Sequence, residues 1–285
     1  MTAMSAGRPG SLRRLTRLGG TETTIGLCLL LAMALVAVAA PLIAPHDPES
    51  IASARVMAPP SLDSPFGWDA LGRDVLSRIL YAYRTSLTVA IGSVLLALSL
   101  GLPCGLAAGY FGGWVDNLLM RPLDLLLALP AMLLAVALIA IVGPGTLVVL
   151  LAIAFLYLPI LARVVRSSVL TVKTEPYVEG ARARGVGEAA IMVRHVLPNA
   201  LGPALVQASV LMAFALQIEA ALSFLGLGVQ PPTPSLGRMI SEGRDVLVQA
   251  PWVSIFPGLA ILLAVLSFNL IGDGLRRRFE AGGGS

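Results

Sequence analysis

The chain has 285 residues, of which 56% are hydrophobic and 13% are charged. Soluble globular domains carry about 25% charged residues, so this composition excludes a soluble domain and predicts an integral membrane protein. The formal net charge is +4, but the basic residues lie at the ends of apolar runs, which indicates orientation in a membrane and not binding of nucleic acid.

A basic tail at residues 1–23 precedes the first apolar run at 24–44. Arg13, Arg14 and Arg17 stand in front of about 20 uncharged residues, the length that crosses the hydrocarbon core of a bilayer. This run is longer than the apolar part of a cleaved signal peptide, and further apolar runs follow it. We therefore expect a retained first helix with its N-terminus in the cytoplasm.

Residues 45–83 form a polar, proline-rich stretch that we expect to lie outside. Its last part, residues 68–80, has the pattern of an amphipathic helix. The apolar positions are Leu71, Val75, Leu76 and Ile79, and the polar positions are Arg73, Asp74 and Arg78. This pattern predicts a short helix that lies along the outer membrane interface or caps the bundle.

Five further apolar runs lie within residues 84–275, so the sequence predicts an all-α polytopic membrane protein with six transmembrane helices. These runs are 87–110, 123–142, 147–162, 200–222 and 252–271. An external loop is expected at 223–251, and a short tail at 276–285 follows the last run. Most of the 20 lysines and arginines fall beside the two termini and in the segment 163–198, which predicts that these parts are cytoplasmic.

A polar passage at residues 174–199 stands between two strongly apolar runs. Its pattern predicts a helix from Pro176 to Ala183, a left-handed turn at Gly185 and a second short helix that Pro198 ends. This passage resembles the EAA loop of permease subunits of binding-protein-dependent ABC importers. The matching positions are Glu179, Gly180, Ala181, Gly185, His195, Leu197 and Pro198. Gly180 replaces the usual alanine, and His195 replaces a branched apolar residue. A basic loop that only fixes orientation is the alternative.

Two other segments extend the resemblance. Phe66, Gly67 and residues 71–78 are similar to the segment before the second membrane helix of dipeptide, oligopeptide and nickel permeases, and residues 219–237 are similar to the outer segment of the C-type permease in peptide importers. With three motifs in order, the chain is identified as a member of this family. The resemblance implies a type I ABC importer permease fold in the bacterial cytoplasmic (inner) membrane.

The family also implies partners in the lipid bilayer and beside it. These are a second homologous permease subunit, one or two ABC ATPase subunits and an external substrate-binding protein. The chain itself has no phosphate-binding loop, because its only lysine, Lys173, follows Val172 and not a glycine. We therefore expect no catalytic, cofactor or metal site in this chain, and we expect ATP and Mg on the partner ATPases.

In the resembling family the EAA loop is the coupling helix, which docks on an ATPase. The resemblance implies that Glu179, Ala181 and Gly185 shape this helix and that Tyr177, Arg182 and Arg184 contact the ATPase. Gly180, Leu197 and Pro198 complete the coupling set. A local ion pair between Glu179 and Arg182 is the alternative role of those two side chains.

Glu219 and Ser223 are the candidates for the outer mouth of a translocation path. A solvated Glu219, or one paired with an arginine of the outer loops, is the alternative. Asp124 and Glu219 lie near opposite ends of their runs, which argues against a proton relay made of these two residues.

The main functional hypothesis is the permease subunit of an ATP-driven importer for short peptides. Nickel, glutathione or haem is the alternative cargo. His46 and His195 fall on opposite predicted sides, so they do not indicate a metal site in the membrane. A secondary carrier or a structural membrane subunit is the alternative class. A carrier would need half-length spans or mid-membrane charges, and a structural role gives no reason for the 179–198 spacing.

Overall fold

The computed structural model describes residues 20–282, with side chains as far as Phe279. All regular elements in this range are helical, apart from one isolated bridge, which confirms the predicted fold class. The helices are α1 (Thr21–Ile43), α2 (Val75–Phe111), α3 (Gly113–Leu127), α4 (Ala131–Val142), α5 (Thr146–Val172), α6 (Pro176–Ala183), α7 (Glu188–Ile191), α8 (Leu197–Phe224), α9 (Leu236–Arg244) and α10 (Trp252–Gly282). The tail arginines Arg13, Arg14 and Arg17 lie outside the described residues.

Five helical stretches are long and apolar enough to cross a membrane, namely α1, α2, α5, α7 joined to α8, and α10. Helices α3 and α4 pass the same test only as a pair, and they are bent by 94°. The predicted span at 123–142 is therefore interrupted by a bend. Pro130 immediately precedes α4, and a proline there lacks the N–H that would continue α3. Counted with this pair, the bundle has up to six spans.

The longest packed surface joins α2 to α5. Three glycines on α2, spaced four residues apart at Gly101, Gly105 and Gly109, lie directly against the backbone of α5. A methyl group added at Gly105 would overlap the carbonyl oxygen of Ala162 and lie 2.8 Å from Cβ of Val165. Small residues allow this close approach, which supplies van der Waals contact where lipid offers no hydrophobic driving force between helices.

The predicted amphipathic helix at 68–80 is wrong. Helix α2 begins only at Val75, after Asp74, whose side chain accepts a hydrogen bond from the N–H of Ser77 at 2.7 Å. The residues before Asp74 form a tight turn that is closed by the bridge between Trp68 and Asp74. The expected faces are also reversed in part, because Leu71 is exposed while Arg78 is buried.

Buried charges explain this reversal. Asp69 and Glu242 accept hydrogen bonds from Arg73 and Arg78, and we call these four residues the ionic cluster. Arg73 lies 2.7 Å from each carboxylate, and Arg78 lies 2.9 Å from Glu242 and also contacts Asp69. Because Glu242 belongs to α9, the cluster fastens α9 onto the start of α2. Burial acts to raise the pKa of Glu242, but the Arg78 and Arg73 guanidinium groups outweigh it and hold the pKa below its usual range.

Candidate functional site

The polar passage predicted at 174–199 stands on one end of the bundle, which we call the α6 end. Helix α5 continues to Val172, so the first ten residues of the segment 163–198 belong to that helix. Helix α6 then begins at Pro176 and ends at Ala183, as predicted. Proline is well suited to the first turn of a helix because the N–H that it lacks would have no helical partner there.

Gly185 ends α6 in the predicted left-handed conformation, with φ of +77°. The N–H of Gly185 donates to the carbonyl of Arg182 at 3.0 Å, and the N–H of Val186 donates to the carbonyl of Ala181 at 3.2 Å. These two bonds form a Schellman motif, which satisfies the last carbonyl groups of the helix. The direction in which the chain leaves α6 is therefore fixed by the backbone at Gly185.

An apolar face of the same passage is buried. Val178 and Ala181 of α6, Ile191 of α7 and Val196 pack together against the ends of the long helices. Their partners there are Leu106, Val165, Val169, Ala200 and Ala204. Helix α6 is thus seated on the bundle and is not a loose loop.

The opposite face carries most of the predicted coupling residues. Tyr177, Glu179, Arg182, Arg184, Gly185 and Pro198 are exposed, Gly180 and Leu197 are half-buried, and Ala181 is buried. The structure therefore leaves the three predicted contact residues, Tyr177, Arg182 and Arg184, accessible. It places Ala181 beneath them as packing.

Pro198 does not end a helix, so that prediction is wrong. Helix α7 passes through a π-helical turn at Met192–Val196 into α8, and the whole stretch from Glu188 to Phe224 is one continuous span. Pro198 lies in the first turn of α8. The π turn is a local widening that accommodates residues which do not fit regular α-helical bonding.

Arg182 does not form the expected pair with Glu179. Its guanidinium group donates to Glu188 instead, with Nε at 3.1 Å from Oε1 and Nη2 at 3.4 Å from Oε2. The hydroxyl group of Tyr110, at the end of α2, donates to the same carboxylate. We call Tyr110, Arg182 and Glu188 the polar triad. Sequence reasoning missed Tyr110 and Glu188 because 78 residues separate them.

Two further contacts join the long helices at this end. Nζ of Lys173, just after α5, donates to the carbonyl of Gly109 in α2 at 2.7 Å. Arg166 of α5 makes two hydrogen bonds of 2.5 Å to Asp116 of α3. The last part of α5, which leads into α6, is consequently tied to α2 and α3.

Glu219 and Ser223 lie near the other end of the bundle, which carries α9 and which we call the α9 end. Glu219 is fully buried and accepts hydrogen bonds from Ser86 at 3.0 Å and Ser223 at 2.8 Å. The expectation of a solvated or arginine-paired Glu219 is therefore wrong. A role of these two residues at the mouth of a path stays a prediction, and their side chains do not reach the surface of this chain. Within residues 20–282, no three His, Cys, Asp or Glu side chains are grouped as a metal site.

An apolar helical bundle of this length, with a seated polar helix between two of its spans, defines a multi-pass membrane protein. The model of the family "Binding-protein-dependent transport system inner membrane component" matches residues 101–282, and that of the "N-terminal TM domain of oligopeptide transport permease C" matches residues 24–60. The chain therefore belongs to the family of binding-protein-dependent transport system inner membrane components.

Named relatives agree over most of the chain. A dipeptide transport system permease protein of Alkalihalophilus pseudofirmus is 42% identical over 88% of this chain and 83% of its own length. A di/tripeptide transport system permease protein of Pseudomonas aeruginosa is 44% identical over 88% of this chain and 85% of its own length. A glutathione transport system permease protein of Pectobacterium atrosepticum is 44% identical over 88% of this chain and 83% of its own length. The three-motif resemblance found in the sequence is confirmed.

Proposed function

We propose that this permease imports short peptides as part of an ATP-driven transporter. The support comes from the relatives, whose names give dipeptides, di- and tripeptides, and glutathione as the transported compounds. All of these are short peptides in chemical terms. Glutathione as the main cargo is the alternative within the same class.

The proposed complex contains a second homologous permease, one or two ATPase subunits that bind ATP and Mg, and an external substrate-binding protein. The α6 end faces the cytoplasm, together with both termini. The excess of lysine and arginine at this end supports the orientation, because cytoplasmic loops are enriched in both residues.

One observation carries the proposed mechanism: α6 has a buried apolar face and an exposed face with Tyr177, Arg182 and Arg184. An ATPase that docks on the exposed face would push a helix that is seated on the bundle. The chain connects α6 directly to α5 and, through α7, to α8, so a displacement of α6 would move these spans together. This is a two-state transmission that nucleotide binding in a neighbour would bias.

Uptake by vesicles that contain the complete transporter tests the proposal. ATP is enclosed, the binding protein is added outside, and labelled dipeptide, tripeptide, glutathione, nickel and haem are compared. We expect ATP-dependent accumulation of the peptides. Accumulation of nickel or haem without any peptide would contradict the proposed cargo.

Replacement of Gly185 tests the coupling role. Gly185→Val should lower uptake more than tenfold without lowering the amount of membrane-inserted protein, because a non-glycine residue in the left-handed region costs about 1–2 kcal/mol and the turn would open. A Cβ at this position meets nothing within 4 Å, so the effect would come from the backbone alone. Gly185→Asn is the matched control, since asparagine tolerates this conformation. Equal uptake by the valine and asparagine variants would remove Gly185 from the mechanism.

Substitutions in the polar triad should affect transport less than Gly185→Val does. Glu188→Gln and Tyr110→Phe should each lower the number of peptides imported per ATP a few-fold, because they loosen the link between α7 and the end of α2. The Arg182–Glu188 pair of the triad is exposed, and exposed ion pairs contribute only about 0–1 kcal/mol, so thermal stability should hardly change in Glu188→Gln. Glu175→Gln removes a surface carboxylate of the same passage outside the triad and is the control. An unchanged ratio of import to hydrolysis in both triad variants would show that the link is not used.

A further inference from the structure

A groove crosses the α9 end of the bundle. It consists of two cavities of about 510 and 360 Å³ that share Tyr81, Thr233 and Pro234 as walls. The larger cavity extends along Pro41, in the last turn of α1, and along residues 44–49 after it. The smaller one extends along Arg84, Thr85 and Thr88 of α2 and reaches Thr146 at the start of α5.

The α2 wall of this groove carries a charged side chain, Arg84. Arg84 and Thr88 are exposed one helical turn apart, and Leu95 and Ser99 continue the exposed face further along the helix. The exposed large side chains of α1 are instead all apolar, and they are Ile25, Leu27, Leu31, Leu35, Val38, Leu42 and Ile43. Polar and ionisable side chains within spans usually face a water-filled cavity or the interior of a bundle. The charge of Arg84 therefore indicates that the part of this face beside the groove is in contact with water, whereas the exposed side chain of Leu95 makes the face apolar further along the helix.

The two ends of the groove carry opposite charges. Asp47 and Glu49 are exposed at one end, and among the described residues neither carboxylate forms an ion pair. Arg84 is exposed at the other end, and its guanidinium group has no carboxylate partner among residues 20–279. A ligand with a cationic and an anionic terminus would satisfy both ends, while Tyr81 and Pro234 offer apolar contact between them.

We propose that this groove binds the main chain of a short peptide at the outer entrance of the translocation path, with the peptide carboxylate at Arg84 and its ammonium group near Asp47 and Glu49. The inference rests on the proposed peptide import. It assigns the entrance to residues other than Glu219 and Ser223.

Glu219 then acts as a positioning residue for the groove. It holds Ser86, which lies on the buried side of the same turn of α2 that presents Arg84 and Thr85. Oγ of Ser86 also accepts a bond from the N–H of Leu236 at 3.4 Å, close to the Thr233 and Pro234 wall. The two walls are therefore held in register by one buried carboxylate.

Accessibility of single cysteines is the first test. In the complete transporter, with Cys28→Ala and Cys104→Ala as background, Thr85→Cys and Thr88→Cys should react with a membrane-impermeant thiol reagent added outside. Saturating dipeptide with its binding protein should slow this reaction several-fold. Leu35→Cys on the lipid face should not react, Val248→Cys in the external loop should react without protection, and Arg182→Cys should not be reached in intact cells.

Arg84 provides the second test, which separates direct contact from a remote conformational effect. Relative to the wild type, Arg84→Gln should lower the uptake ratio of a free dipeptide to its C-terminally amidated form about tenfold, the size expected when a charge-assisted hydrogen bond is lost. Arg84→Lys should restore part of this ratio.

Three results would overturn the assignment. The first is reactivity of Thr85→Cys and Thr88→Cys like that of Leu35→Cys. The second is that Arg84→Gln lowers the uptake of the free and the amidated dipeptide by the same factor. The third is protection of the cysteines by anionic lipid but not by peptide, which would identify a lipid headgroup as the ligand. If wild-type vesicles import no peptide at all, the proposed cargo fails, and that failure is seen before any groove variant is tested.

Discussion

Gly105→Leu should leave almost no folded permease in the membrane. Gly105 is the central glycine of the α2 surface that lies on α5, and any Cβ there overlaps the carbonyl oxygen of Ala162. A backbone group cannot rotate away as a flexible side chain can, so α2 and α5 would have to separate. Overpacking a core usually costs about 1–3 kcal/mol of folding free energy. We expect a larger cost here, because the most extensive helix contact of the bundle is involved.

The measurement is the yield of monodisperse protein in detergent together with its thermal midpoint. Gly258→Leu is the matched control, since Gly258 also lies inside a membrane helix, α10, yet a Cβ there meets nothing within 4 Å. This control should keep normal yield, and Gly105→Ala should already lower the midpoint. If Gly105→Leu and Gly258→Leu gave the same yield, the described packing of α2 on α5 would be wrong.

Local backbone geometry is the part of this protein that its sequence predicts well. Pro176 at the start of α6 and Gly185 after its end were both identified from residue type, because the conformations that proline and glycine favour are properties of single residues. The apolar runs likewise predicted the spans, since the width of the bilayer sets their length.

Charges were harder to place. The helical pattern at 68–80 assigned Arg73 and Arg78 to a solvated face, yet both side chains are buried against Asp69 and Glu242. Glu242 lies 164 residues from Arg78, so no local spacing could reveal the pairing. The surroundings of Glu219 could not be predicted for the same reason, because its hydrogen-bond donor Ser86 lies 133 residues away in the sequence.

Bends within the spans also could not be predicted from the sequence. Pro198 and Pro130 look alike as helix breakers, but α8 runs straight through the first while α3 and α4 are bent by 94° beside the second. The difference lies in how the neighbours accommodate the freed backbone groups. The π turn at Met192–Val196 absorbs the irregularity before Pro198, and such turns carry no reliable sequence pattern.

Helix α2 connects the two ends of the molecule. At the α6 end its last residues are held by Lys173 and by Glu188. At the α9 end its first turns carry Arg78 of the ionic cluster and, one helical turn further, the polar wall of the groove. A helix of 37 residues is about 55 Å long, so it is long enough to link the proposed ATPase contact to the proposed peptide entrance. The stability of its outer fastening should therefore matter for transport as well as for folding.

Glu242→Gln should detach α9 from the start of α2. The substitution leaves the buried guanidinium group of Arg78 with a single carboxylate partner, Asp69, although Arg73 needs that same group. Loss of one member of a buried ion pair costs about 3–5 kcal/mol, because the remaining charge stays in a poorly solvated place. We call α9 and the turn before α2 the outer cap. We expect the outer cap to unfold at a clearly lower temperature than the rest of the bundle.

Tryptophan fluorescence reports this event. Two of the three tryptophans, Trp68 and Trp252, are joined beside the cluster by a 3.1 Å hydrogen bond from the indole N–H of Trp252 to the carbonyl of Trp68. Asp245→Asn is the control, because it removes an exposed acid next to α9 whose pair with Arg244 contributes about 0–1 kcal/mol. Similar fluorescence transitions in the two variants would show that the cluster does not hold the cap.

The same cluster predicts a dependence on pH. The pKa of Glu242 is lower in the folded protein than the ordinary value of 4.5, so its stabilising contribution is complete above that ordinary value and is lost as the pH falls through the folded pKa. The wild-type cap should therefore loosen in acid below about pH 4.5, and Glu242→Gln should lack this component of the acid transition. An identical acid transition in the wild type and in Glu242→Gln would exclude Glu242 as the titrating group.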